Sequence, residues 1–404
     1  MASYTLIKVN SKRQAQAFLN FPKALYKNDS NYVHPLDSDV ESVFCYKKNK
    51  LLQNGGEVAR FILQDENGAL VGRVAAFVNP QTACLNDQPT GGMGFFECID
   101  CRSAAFSLFD ACRQWLEVRG MEAMDGPVNF GGRERWWGLL VDGFIRPSYG
   151  MTYNPPYYKD FFEEYGFKNY FYQYSYLRPI SMDGVAGSIR ERAARVSANP
   201  RYTFRHTNSR ELPKFAQDFR SVYNRAWANH SGVEPMTPEQ AGAELAAIKP
   251  VIDHRLVLFA YHDGEPVGFF VQIPEINEVV KRLGGGRMNL IKLIKFWYLL
   301  RVKKVCRRIM GLVFGIAPEF RGRGLEGALA MEFARVALAK GFPYRDIDLT
   351  WVGDFNPLMM RFQQQLGGKI YKTHATYRLL FDKEKQEKEF KRCPSILRST
   401  RNAI

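Results

Sequence analysis

A strand-like run ending Phe314-Gly-Ile-Ala-Pro318 leads into Glu319-Phe-Arg-Gly-Arg-Gly-Leu-Glu-Gly-Ala328 and then into an amphipathic helical pattern. Glycines let the main chain approach a ligand closely, and a helix start offers unpaired amides at the positive end of its dipole. The chemistry such a turn supports is capture of a diphosphate. A second cluster is Gly126-Pro-Val-Asn-Phe-Gly-Gly-Arg-Glu-Arg-Trp-Trp-Gly138, followed by Asp142-Gly-Phe144 and Tyr153-Asn-Pro-Pro-Tyr-Tyr158. Polar and aromatic density on loops marks either a substrate wall or an interface packed on itself. Asn129, Trp137, Tyr153 and Asn154 are its candidate substrate contacts.

These residues must be positioned by a chain of 404 residues, too long for one ordinary core, so two domains of about 200 residues are expected. The sequence is written twice. Asn67-Gly-Ala-Leu-Val-Gly72 matches Asp263-Gly-Glu-Pro-Val-Gly268, each a turn followed by an apolar strand. Asn154-Pro155 with Phe161-Phe-Glu-Glu-Tyr-Gly166 matches Asn356-Pro357 with Phe362-Gln-Gln-Gln-Leu-Gly367, and Gly166 to Gly367 and Tyr176 to Tyr377 both span 201 residues. The second copy reads as strand 202–207, helices 213–229 and 238–248, strands 255–262 and 266–273, an insert, strand 310–317, helix 323–340, strand 345–352, helix 357–366 and a final strand pair over 369–381. The expected division is 1–180, 181–381 with an insert at 278–308, and a charged tail at 382–404.

The insert sets the electrostatic field. Ten lysines and arginines face only Glu278 between residues 278 and 308, giving +9 of the chain's +15. Apolar residues at 290, 293, 294, 297 and 300 form a helical stripe among these cations, the pattern of an interfacial membrane helix. Leu293, Phe296, Trp297 and Leu300 are its candidate membrane contacts, with a lid packed on the protein's own core as the alternative; no nucleic-acid reader fold accompanies the patch. No apolar run reaches the ~20 residues of a membrane span. The seven cysteines are scattered, Cys98 and Cys101 form a lone CxxC, and the six histidines lack ligand spacing. The expectation is a cytoplasmic, metal-free protein, peripheral on the inner face of the membrane.

Ile316-Ala-Pro-Glu-Phe-Arg-Gly-Arg-Gly324 resembles the acyl-CoA pyrophosphate loop of the GNAT superfamily, and Asn356 with Gly367 resembles that family's next helix. The resemblance covers the whole second copy. It implies an α/β (α+β) fold of two tandem GNAT-like domains, each a mixed, mostly antiparallel twisted sheet flanked by helices. It also implies a strand 310–317 that splays from 345–352. Main-chain groups of Phe314, Gly315 and Ile316 would then meet the pantetheine arm, flanked by Asn356. Amides of Arg321, Gly322, Arg323, Gly324, Leu325, Glu326, Gly327 and Ala328 would hold the phosphates. Glu326 departs from the small residue of the family pattern, and Gln363 stands where a thiolate-protonating tyrosine often falls. The first copy lacks the loop, reading Cys98-Ile-Asp-Cys-Arg-Ser-Ala104 after its strand, and is expected to be a degenerate domain that binds no CoA.

An acceptor amine must lose a proton to attack a thioester. Asp348 is the first candidate base, Glu275 and Glu278 the next, with Glu134 reaching across from the first copy; Trp351 and Asp354 shape the pocket. In length, tandem layout and lipid preference the chain is similar to bacterial ceramide synthases, which acylate a sphingoid base. The expected activity is transfer of an acyl group from CoA to a lipid-like amine at a membrane surface. An acetyltransferase for small or peptide amines and a silent acyl-CoA-binding scaffold stay open.

Overall fold

The computed structural model describes residues 3–85, 88–130, 133, 135–227 and 235–396. Its strands are β1 (Thr5–Lys8), β2 (Glu57–Gln64), β3 (Leu70–Val78), β4 (Thr90–Cys98), β5 (Ala123–Gly126), β6 (Leu139–Asp142) and β7 (Lys168–Pro179) in the first copy. The second copy supplies β8 (Tyr202–His206), β9 (Val257–His262), β10 (Glu265–Pro274), β11 (Arg308–Ile316), β12 (Asp346–Gly353) and β13 (Lys369–Leu380). They form one sheet ordered β1-β2-β3-β4-β5-β13-β7-β12-β11-β10-β9-β8, with β6 on β13. Among the described strands β4–β5 and β11–β12 pair in parallel and the others antiparallel. The hairpins read from sequence are present: Gly68 turns at φ 77° between β2 and β3, and Asp263-Gly264 at φ 51° and 85° between β9 and β10. Positive φ at both central residues matches the twist of the flanking strands.

The two copies exchange their last strands. β7 closes the first copy's sequence but pairs with β12 of the second, and β13 closes the second but pairs with β5 of the first. The β7–β13 ladder joins the halves into one sheet. Tyr176 of β7 accordingly lies in the core around the helix Leu325–Ala337, and Tyr377 of β13 in the core around the helix Arg102–Glu117. The residues 201 positions apart thus occupy matching places in opposite cores. The final strand pair expected over 369–381 is instead the single twelve-residue strand β13, because the seam offers a partner along its whole length.

The helix after each parallel crossover packs on the sheet through the matched glycines. A Cβ on Gly72 would meet Leu108 at 2.6 Å, and one on Gly268 would meet Leu329 at 3.2 Å. The insert folds as the helices Asn277–Leu283 and Leu290–Trp297, the latter running into a π turn at Tyr298–Val302. Phe296 and Leu300, expected to face outward, are buried with Leu299, Val279 and Met310. The π turn carries Leu299 and Leu300 inward together and shifts the outward face from the period of a plain helix. Leu293 and Trp297 do face outward. The tail beyond 382 folds back as the helix Lys383–Lys388, and Cys393 N–H donates to Tyr170 O at 2.9 Å.

Candidate active site

The ladder between β11 and β12 runs from Arg308↔Asp346 to Gly311↔Leu349 and ends there, although both strands continue. Leu312 sits at a bulge, because Val271 and Gln272 of β10 face Val313 and Gly311. Beyond it β11 pairs with β10 alone. Ala317 N–H donates to Val267 O. By the alternation of an antiparallel pair, the main-chain groups of Phe314 and Ile316 then point away from β10, into the opening, and those of Gly315 toward it. The Phe314 ring packs between Phe270 and Phe362, with centroids 5.4 and 5.6 Å away.

At the end of the opening the chain turns through Gly322 at φ 71° and Gly324 at φ 91° into the helix Leu325–Ala337, whose start carries no side-chain cap. The first helical bond is Ala328 N–H to Gly324 O, so the amides of Leu325, Glu326 and Gly327 have no acceptor within the helix. The amides at the two ends of the expected cradle are used internally. Arg321 N–H bonds Pro318 O, and Gly322 N–H bonds the Glu326 Oε1 at 2.9 Å. Arg321 also ties its side chain back to Ile316 O and Ala226 O. Leu325 and Ala328 bury their side chains in the core, so only their main chain faces the turn. Gly324 and Gly327 carry a second duty: a Cβ on either would press on Arg192 or Ile189 of the helix Gly187–Ala198, at 3.0 and 3.1 Å. Asn356 caps the helix Pro357–Gln365 by accepting from Met359 N–H, and Gln363 is buried on that helix.

Asp348, one step before the ladder ends, is buried. Its Oδ2 accepts from Tyr371 OH at 2.6 Å and from Ser148 Oγ, while Oδ1 has no hydrogen-bond partner among the described residues. Burial raises its carboxyl above the usual range, opposed by Lys372, the two hydroxyls and Arg308. Lys372 donates to Arg146 O at 2.6 Å, and burial draws its ammonium down to about 8. Glu275 is buried and takes the N–H groups of Tyr149 and Asn277, each at 2.9 Å; burial lifts it to about 7. The segment Arg146–Tyr149 of the first copy therefore brings Asp348 and Glu275 together. Glu278 sits at the edge, 3.6 Å from Arg146 and accepting from Arg307 N–H.

Ser148, Tyr371 and Lys372 escaped the sequence reading. Tyr371 sits at a bulge, since Ile370 and Lys372 face the adjacent Tyr176 and Ser175 of β7, and a bulge re-aims side chains. No local pattern announces such a kink. The other candidates are held by the protein itself. Trp351 Nε1 donates to Arg133 O at 3.1 Å, and Asp354 pairs with Arg392 at 2.5 Å. Trp137 Nε1 bonds Thr376 Oγ1 at 3.1 Å, Tyr153 OH bonds Asp29 at 2.6 Å, and Asn154 brackets Leu140 through both its N–H and its C=O. Asn129 is buried in the same loop region. Tyr153 and Asn154 line a cavity of about 80 Å³ that also holds Glu97 and Arg73. Glu134 lies outside the described residues.

No helix among the described residues is long and apolar enough to cross a membrane, and no group of three metal-ligating side chains is found among them. No family model matches the sequence. The chain is 28% identical over 386 residues to a bacterial ceramide synthase of Caulobacter vibrioides, covering 93% of this chain and 97% of that one. It is 24% identical over 375 residues to the protein YghO of Escherichia coli, covering 91% and 93%. Among solved structures, a tandem GNAT protein from the clavulanic acid biosynthesis pathway superposes with a TM-score of 0.54 at 11% identity, over 94% of this chain and 99% of that one. A GCN5-related glucosamine N-acetyltransferase region of a fungal β-N-acetylglucosaminidase also reaches 0.54, at 14% identity, over 94% of this chain and 38% of that one. With its twin parallel crossovers, opened strand pair and glycine turn, the chain has a tandem GNAT fold.

Proposed function

We propose that the protein is a CoA-thioester-dependent N-acyltransferase whose acceptor is a lipid-like amine of the long-chain-base class, met at a membrane surface. The observation that carries this reading is the opening of β11 from β12 beyond Gly311 and Leu349, which leads to the uncapped helix start at Leu325. Free amides at a helix start suit a diphosphate. The long-chain amine is drawn from the full-length similarity to a bacterial ceramide synthase. The pantetheine arm would run along the main-chain groups of Phe314 and Ile316, with the amides of Arg323 to Gly327 on the phosphates.

In the reaction the amine nitrogen attacks the thioester carbonyl, the C–N bond forms, the C–S bond breaks and CoA leaves as a thiolate. Asp348 Oδ1, the oxygen without a partner, takes the ammonium proton; Tyr371 and Ser148 fix the other oxygen. A carboxyl raised by burial is a stronger base than a solvated one and can return the proton. Glu275, committed to two main-chain amides, holds the segment that carries Ser148. The test is incubation of the purified protein with acyl-CoAs of graded length and either a sphingoid base or soluble amines, reading free thiol and amide by mass spectrometry. Amide formed only from short acyl groups on soluble amines would replace this acceptor with a small one.

A second reading, a CoA-binding protein without turnover, is favoured by one contact, the Glu326 carboxylate on the Gly322 amide. Tight CoA binding with no thiol released from any amine would support it.

A further inference from the structure

The helix Leu290–Trp297 and its π turn present an exposed apolar face. Ile291 is 77% exposed, Leu290 72% and Val302 67%, and Ile294, Trp297 and Tyr298 join them. Exposed apolar patches of this kind mark interaction sites. Tyr298 also lines an open pocket walled by Arg146, Lys281, Arg282, Lys303 and Arg307, with Glu278 as its one acid. Its charge is uncompensated along the chain as well, for no acidic residue occurs between Glu278 and Glu319. Around the rim, Lys292 and Lys295 bend back to the carbonyls of Gly285 and Arg282, which places their ammonium groups at the base of the helix. Apolar side chains project outward, and cations ring them one layer below.

We propose that this surface docks on an anionic phospholipid bilayer, with Ile291, Ile294, Trp297 and Tyr298 in the acyl layer and a lipid phosphate in the pocket of Arg146, Arg282 and Lys303. Charge decides the partner: five cations against one carboxylate repel a basic surface, gain nothing from a neutral one and attract a leaflet of negative headgroups, while the aromatic pair suits the interface. The inference rests on the lipid reading of the acceptor and names the partner that reading needs. It also corrects the expected contact set in part: Leu293 and Trp297 keep their outward place, Ile291, Ile294 and Tyr298 join them, and Phe296 and Leu300 serve the core.

Flotation of the full chain with phosphatidylglycerol/phosphatidylcholine vesicles tests it, beside phosphatidylcholine alone. The expected result is association with the anionic vesicles only, weakening as salt rises. Ile291→Ser with Ile294→Ser should abolish flotation, and Arg282→Glu with Lys303→Glu should lower partitioning at least ~10-fold. All four positions lie outside the reacting groups, so turnover of a detergent-dispersed amine and an unchanged thermal midpoint verify folding. Equal binding to neutral vesicles, wild-type flotation by both variants, or release by millimolar inorganic phosphate would each overturn the surface. Turnover without flotation removes the docking surface alone; flotation without turnover removes the acyltransferase reading alone.

Discussion

The two copies place the same strand pair in opposite states. Register equates Gly92 with Met310, Met93 with Gly311, and Asp125 with Asp348. In the first copy Val128 N–H crosses to Met93 O at 2.8 Å, and Gly94 lies so close beneath Val128 O that a Cβ there would be 1.8 Å from it. Phe95, at φ 51°, fills the remaining space against Phe44 and Trp136. In the second copy Gly311 O instead takes the hydroxyl of Thr350 at 2.6 Å, and the main chains part. The two arrangements differ with no change of fold. One main-chain bridge and one aromatic ring turn a slot into a wall.

The equivalent aspartates diverge for a reason one strand away. Asp125 faces Arg378 of β13 and is held by two bonds of 2.6 and 2.8 Å; Asp348 faces Leu177 of β7, the residue 201 positions before Arg378. One carboxylate is paired directly with an arginine, while the other is buried, bonded to two hydroxyls, with Lys372 and Arg308 only nearby. Asp348→Asn should therefore lower kcat by ~10²–10⁴-fold and erase the acidic limb of the pH–rate profile. Asp125→Asn should leave kcat within a few-fold. Equal losses in the two variants would end the assignment.

Much of this was legible in the sequence because it is local. The glycine turn, the hairpins at Gly68 and Gly264 and the 201-residue repeat each announce themselves in a few adjacent residues. The exchange of β7 and β13 was not legible, because both strands read as aromatic, two-sided segments that either half could bury. Ser148 and Tyr371 were missed because they reach Asp348 only through the fold, and Lys372 lies beside Tyr371 on β13. In the insert Leu293 and Trp297 face outward as read, whereas Phe296 and Leu300 turn into the core, the latter within a π turn that leaves no mark in the apolar spacing.

A second contrast concerns Glu97 and Arg73, whose counterparts by register are Gly315 and Phe269. Where the second copy has a glycine opposite a phenylalanine, the first holds a buried carboxyl, 3.7 Å from Arg73 and accepting from Tyr26 OH at 2.5 Å. Burial lifts Glu97 to about 7. Arg73→Leu should cost about 3 kcal/mol at pH 8, where an unpaired charge stays buried, and clearly less at pH 5, where Glu97 is protonated. Denaturation at the two pH values measures the difference. An identical cost at both would deny that Glu97 ionises in the fold.

Glu275 in the second half behaves alike but is held by main-chain amides instead of a cation. Its pKa rises on folding from 4.5 to about 7. The folded state thus keeps a proton that the unfolded state loses, so this contribution to stability is full below pH 4.5 and is lost as pH rises through 7. Glu275→Gln, which mimics the protonated form, should gain stability on wild type by roughly 1–3 kcal/mol across that window. Melting curves from pH 4.5 to 8 read it directly, and a constant difference between the two proteins would refute the shift.

The smallest expected effect sharpens the contrast between the two helix starts. The helix Arg102–Glu117 follows Cys101 with no glycine turn, whereas the helix Leu325–Ala337 keeps one and then places Glu326 on the Gly322 amide. A carboxylate in a first turn is favourable to the helix by ~0.3–1 kcal/mol, and the same dipole is what a phosphate would use. Glu326 and the diphosphate therefore compete. Glu326→Ala should give up a few tenths of a kcal/mol of stability and tighten CoA binding about 2–5-fold, by calorimetry on the full chain. Weaker binding instead would mean that the Glu326 contact holds the turn in its receptive shape, so that the departure from a small residue at this position serves the site.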